Sequence, residues 1–260
     1  MRTRVVFVIL FIFLTFIPFA AKKKPADPIM PDVTARGLAL YEYDQATWHA
    51  TDALQALRPE TQALGRYIAH KSGAVWEVAF GRLNQARDTF VIAYRATQGA
   101  NIQEFTATKL DPPQADTAFY LDAARAIDTA LQDFHGQKRP YNAAVLPAAD
   151  NQLHVYVTPA QTENGVYPLG GDARYLVSSD GNTIIEKRQL HIGIIENRGN
   201  LPKGGKIAAG IHTHILSDVP EDTDVFYVLT RKPATPEMIG TKSKKFYEIS
   251  VDGTIREIKM

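Results

Sequence analysis

Phe119, Ala123, Ile127, Ala130 and Phe134 recur at the three- and four-residue intervals that place side chains on one face of an α-helix. They predict one amphipathic helix over 119–134, ended by His135 and Gly136. Both flanks read as strand. Segments 75–80, 89–96 and 102–109 are β-prone and joined by polar or glycine-containing turns, an antiparallel meander for the helix to lie across. Beyond the helix, 141–146 and 153–158 form two more strands on either side of Pro147 and Asn151. Ser179-Asp180-Gly181-Asn182 then signals a hairpin between 174–179 and 183–188, and Asp252-Gly253 another between 245–251 and 254–258. The pattern is that of an α+β fold, mainly antiparallel, with helices in the N-terminal half and a largely β C-terminal unit.

The chain before residue 75 has a different character. Arg2 and Arg4 precede an unbroken apolar run over 5–14 that continues, with one Thr and one Pro, to Ala21. A charged start and an apolar core are the marks of an export signal. Residues 1–21 are therefore expected to be a removed signal peptide or an uncleaved membrane anchor. The protein is placed in the periplasm or outside the cell, with inner-membrane anchoring as the alternative. Residues 22–36 hold Pro25, Pro28 and Pro31 among polar side chains and read as a flexible tether. Helical character follows over 43–71, interrupted at Arg58-Pro59, and Leu64, Tyr67 and Ile68 are expected to share one face of a second helix. The rest divides into an α+β region over 37–150 and a mostly β region over 151–260.

The absence of cysteine excludes disulfides, thiol nucleophiles and thiolate metal ligands. A net charge of +1 gives no electrostatic reason to expect nucleic acid. Two adjacent glycines in 166–172, VYPLGGD, predict a tight loop, without the lysine or spacing of a phosphate-binding motif.

Chemistry concentrates in 205–230, GKIAAGIHTHILSDVPEDTDVFYVLT. If 207–216 is extended, Ile207, Ala209, Ile211, Thr213 and Ile215 give a buried-looking strand one face, mostly apolar. His212 and His214 then share the other face with Ala208 and Gly210, which leave room in front of two imidazoles. Asp224 is the candidate third ligand, with Asp218 and Glu221 competing for that role. Two imidazoles and a carboxylate on zinc leave a fourth position for water, and a nearby glutamate would accept the water's proton. Glu196 is the first candidate for that catalytic role and Glu186 the second. His191 is more simply read as a structural or surface histidine; as a third site histidine it would point opposite Glu196.

His212-Thr213-His214 with the later Asp224 resembles the JAMM or MPN metalloprotease family. Its motif couples an upstream catalytic Glu to His-x-His and a later Ser-x-x-Asp, the two His and the Asp binding zinc. Here Ile215 stands where that family has proline, and Pro220 where Ser217 would need its partner Asp. The resemblance covers about 174–251 and implies zinc-dependent hydrolysis of an amide or isopeptide bond. The PLGGD, SxDG and HTH segments also resemble uncharacterised exported bacterial proteins, which implies a cell-envelope setting. Two readings follow: a zinc-dependent amide or peptide hydrolase of the envelope, or a non-catalytic envelope protein binding a peptide, glycan or protein partner. Membrane contact is expected only through an uncleaved N-terminus.

Overall fold

The computed structural model describes residues 30–198, 205 and 207–259. The expected signal lies outside them, as does most of the expected tether. Helix α1, Met30–Ala56, starts earlier than expected. Pro31 falls in its first turn, where a missing N–H costs nothing, and Asp32 faces the positive end of the helix dipole. Arg58 has φ 51°, a left-handed conformation that stops the helix. The second helix expected before Lys71 does not form. Arg66–Ser72 is strand β1, paired antiparallel to β2, Val75–Leu83, along its whole length. Ile68 is fully buried by this pairing. Tertiary pairing here overrides a local pattern that fits either state.

With β3, Phe90–Gln98, and β4, Phe105–Asp116, these strands make the expected meander, in order β1-β2-β3-β4. Helix α2, Phe119–Asp133, follows. A second antiparallel sheet has order β5-β6-β8-β9, from Tyr141–Pro147, Leu153–Pro159, Ala173–Val177 and Ile184–Gln189. Position 150 is thus the turn of one hairpin, and side chains from these first two sheets meet α1 and α2 in one core that includes Tyr43, Phe90, Ile127 and Tyr156.

Strands β7, Val166–Gly170, and β10, Ile194–Arg198, pair as a two-stranded ribbon. The last sheet has order β11-β12-β13-β14, from Gly210–His214, Glu237–Thr241, Phe246–Ile249 and Ile255–Ile258. Its first pair is parallel, so the chain must cross over between them. The crossover is helix α3, Asp222–Thr230, which the sequence reading did not anticipate. Val225 and Val228 of α3 pack with Val33 of α1 and with Ile239 and Ile249 in a second, smaller core. Among the described residues no helix is long and apolar enough to cross a membrane.

Candidate metal centre

His212 and His214 lie two apart on β11 and share its inward face, 7% and 2% exposed. The burial runs opposite to hydropathy: Ile211 is 78% and Ile215 54% exposed. The apolar face of this strand is its outer one. β11 is the edge of its sheet, and its histidine face is turned towards α3, where polar partners meet every ring nitrogen.

Asp224 comes from the first turn of α3. The Glu221 backbone N–H donates to its Oδ2 at 2.7 Å, fixing the carboxylate over an otherwise unpaired helix-start amide. That leaves Oδ1 facing the histidines. Its neighbour Asp222, also fully buried, takes Arg36 at 3.0 Å, the Tyr156 hydroxyl at 2.9 Å and Arg174. One helix start thereby anchors to α1 and the second sheet through Asp222 and presents Asp224 to the site.

His191 is the fourth member, from the segment between β9 and β10. Its Nε2 lies 3.0 Å from His214 Nε2 and 3.1 Å from Asp224 Oδ1. His212 Nε2 is 3.1 Å from His214 Nε2 and 3.2 Å from Asp224 Oδ1, and His214 Nε2 is 3.1 Å from Asp224 Oδ2. All four donor atoms fall within 4.8 Å of one another. A four-coordinate ion with zinc-like bond lengths needs edges of about 3.3 Å.

The outer contacts decide which ring nitrogens carry hydrogen. His191 Nδ1 meets Asp172 Oδ1 at 2.8 Å, His212 Nδ1 meets Glu237 Oε1 at 2.9 Å, and His214 Nδ1 meets the Val219 carbonyl at 2.9 Å. A carbonyl and two carboxylates can only accept, so each Nδ1–H donates outward and three Nε2 lone pairs are left converging. Among the described residues no hydrogen bond reaches the buried Asp224 Oδ1, close as it is to two of them. Lone pairs and a bare carboxylate oxygen packed together require a positive charge between them. His191, His212, His214 and Asp224 are a group that can hold a metal ion, and three outward Nδ1–H bonds are the arrangement that orients imidazole ligands.

Without an ion, protons supply the charge. Burial opposes protonation of His212, yet bonding and attraction to Asp224 and Glu237 outweigh it and lift the group to about 9. His191 moves well above its ordinary value in the same way, burial being outweighed by Asp172 and Asp224. Asp224 is held well below the carboxylate range, because the histidine charges overcome a large burial penalty.

Two glycine requirements serve the outer contacts. A Cβ on Gly210 would lie 1.9 Å from Glu237 Oε2, so the space beside His212 expected from the small residues of β11 is where Glu237 sits. Glu237 is held in turn by Arg231 at 3.0 Å. Gly170 and Gly171 both have positive φ, 86° and 65°, and turn the chain from β7 so that Asp172 reaches His191. Asp172 was within sight in the PLGGD loop; Glu237 carried no signal of spacing or composition.

The structure thus brings His212, His214 and Asp224 together and adds His191. Glu196 is not among them: it lies on β10, its side chain 53% exposed, paired with Arg139 at 2.9 Å. Glu186 is on β9 opposite Leu176. The competing acids are engaged elsewhere, Asp218 with the Ser243 N–H at 3.2 Å and Glu221 with Arg188 at 2.6 Å. No family model, curated protein or solved structure matches the chain.

Proposed function

We propose that this is a zinc protein whose ion is held by His191, His212, His214 and Asp224. The observation that carries the reading is the convergence of three Nε2 atoms, each with its Nδ1–H bonded outward, on a carboxylate oxygen that no hydrogen bond reaches among the described residues. Imidazole with carboxylate and no thiolate suits zinc among the common divalent ions. Elemental analysis of untagged protein, beside a His212→Ala/His214→Ala variant, tests it. One equivalent of zinc in the parent and none in the folded variant is expected. A parent still empty after zinc incubation and buffer exchange would overturn the proposal.

The use of the ion divides into two readings. Hydrolysis of an amide or peptide bond is favoured by a cleft of about 180 Å3 that reaches His191 and His212 and is otherwise walled by apolar groups such as Leu190, Ile192, Ile195 and Ile215. Zinc there would supply Lewis acidity for a carbonyl oxygen. The cleft's walls would receive an apolar substrate group and exclude water. Against this stands the engagement of the nearby carboxylates among the described residues: Asp172 and Glu237 orient ligands, and Glu221 Oε1 pairs with Arg188. A non-catalytic envelope protein stabilised by its metal is favoured by that and by four protein ligands, the number typical of structural zinc. Zinc-dependent turnover of peptide substrates with apolar side chains, lost in the double variant, would decide for hydrolysis. The envelope setting rests on the charged and apolar N-terminal pattern.

A further inference from the structure

A second cavity among the described residues contains none of the four ligands. It encloses about 650 Å3, within the range of small-molecule sites, between α1, residues 158–164 and α3. Its walls are rich in aromatic rings: Tyr41 and Trp48 from α1, Tyr67 from β1, Tyr167 from β7 and Phe226 from α3. Trp48 is 56% exposed, with its ring stacked on His49 at 5.1 Å.

One carboxylate stands among these rings. Asp44 lines the cavity, and among the described residues its only side-chain hydrogen bond is from Gln45 Nε2 at 3.3 Å. No ion pair to it is found among the described residues; Lys232 also reaches the wall but does not pair with it. Burial, only partly offset by Gln45, raises the Asp44 carboxyl to about 6, so near neutrality it is mostly ionised. Its charge reaches two of the rings: Tyr41 and Tyr67 are both raised above the ordinary phenol value, first by burial and next by Asp44.

Ring faces and a carboxylate favour the same kind of guest. The π-face is negative, so a cation near it is attracted, the more strongly once desolvated. An anion would meet repulsion from Asp44, and a neutral apolar guest would bury that carboxylate without compensation. We propose that this cavity binds an organic ammonium group, its charge on Asp44 and its substituents against Tyr41, Trp48 and Tyr67. The site stands apart from the zinc proposal and does not depend on it.

Calorimetric titration of the full protein tests the assignment with three probes. Choline presents a quaternary ammonium, Nα-acetyl-lysine methylamide the primary ammonium of a peptide side chain, and 3,3-dimethylbutanol the shape of choline without charge. At least one cation is expected to bind, about tenfold or more tighter than the neutral alcohol, and to lose about tenfold or more in Asp44→Asn. Which cation binds tells a free quaternary amine from a peptide-borne one. The neutral alcohol should bind parent and variant alike, which keeps loss of charge distinct from loss of shape. Absence of binding by both cations up to about 10 mM, neither cation binding tighter than the alcohol, or undiminished cation binding by Asp44→Asn would each overturn the proposal.

Discussion

Asp224 is fully buried and Asp44 half-buried in the same chain, and their surroundings treat these two carboxylates oppositely. Asp224 sits among three imidazoles and its carboxyl is held well below the ordinary range; Asp44 sits among aromatic rings with one weak hydrogen bond and is raised to about 6. Around Asp224 each donor is itself held by a further group, Asp172, Glu237 or the Val219 carbonyl. Around Asp44 there is cavity. The first arrangement is closed and leaves only a charge to be supplied at its centre; the second is open and leaves a whole guest to be supplied. A closed cluster repays its desolvation internally, whereas an open one carries a standing cost that only a ligand relieves.

Chelation should separate the two most strongly. If the closed cluster is a zinc centre, the zinc-loaded protein gains about 4 kcal/mol over the chelated one at free zinc a thousandfold above Kd, read as a shift in denaturant midpoint. Because the ligands must shed protons to bind, this gap should widen as pH rises. An unchanged midpoint on chelation would remove the distinction. Next in size is the outer contact: Glu237→Gln should weaken zinc binding about 10- to 100-fold in a competition titration while the protein stays folded. Full affinity in that variant would mean His212 needs no orienting partner.

The open site predicts a change of opposite sign. Because the folded-state carboxyl of Asp44 is raised from 3.8 to about 6, the folded protein binds the extra proton between those values and loses stability as pH climbs through them. Asp44→Asn removes that loss. The variant should be more stable than the parent by about 1–2 kcal/mol at pH 7, after allowing for solvent in the cavity, and equal to it below about pH 4. Equal stability at both pH values would show that Asp44 is adequately solvated. Smallest of all, Ile211→Thr on the exposed face of β11 should alter stability by less than about 0.5 kcal/mol, although the adjoining His212 matters a great deal. A larger loss would show that the outer face of the strand is covered.

The same contrast runs through what could be read from the residues. Features with a local cause were legible: the 119–134 stripe became α2, Ser179-Asp180-Gly181-Asn182 and Asp252-Gly253 became hairpin turns, and His212 with His214 shared one face. Whatever depended on distant chain was not. β1 looked helical because Leu64, Tyr67 and Ile68 fit a helical face as well as a strand, and only β2 decides between them. α3 is only nine residues long, too short for a periodic stripe. Ile211 looked like core because hydropathy cannot tell which face of an edge strand meets the protein. His191 joins the cluster across 23 positions and Asp172 reaches His191 across 19, separations that belong to no fixed spacing.

The parallel pairing of β11 with β12 also has a kinetic meaning. His212, His214, Asp224 and Glu237 all belong to one strand-helix-strand unit, its outermost contact only 25 positions apart. Closing a loop of that size costs little entropy, so this part of the cluster is brought together by near neighbours in the chain. His191 arrives from outside the unit, bringing the two-stranded ribbon with it through Asp172. The small apolar core beside the unit also draws Val33 from α1 and Leu169 from β7. If the cluster holds an ion, His191 is thus also a latch, and its departure from the other three would set how fast that ion exchanges.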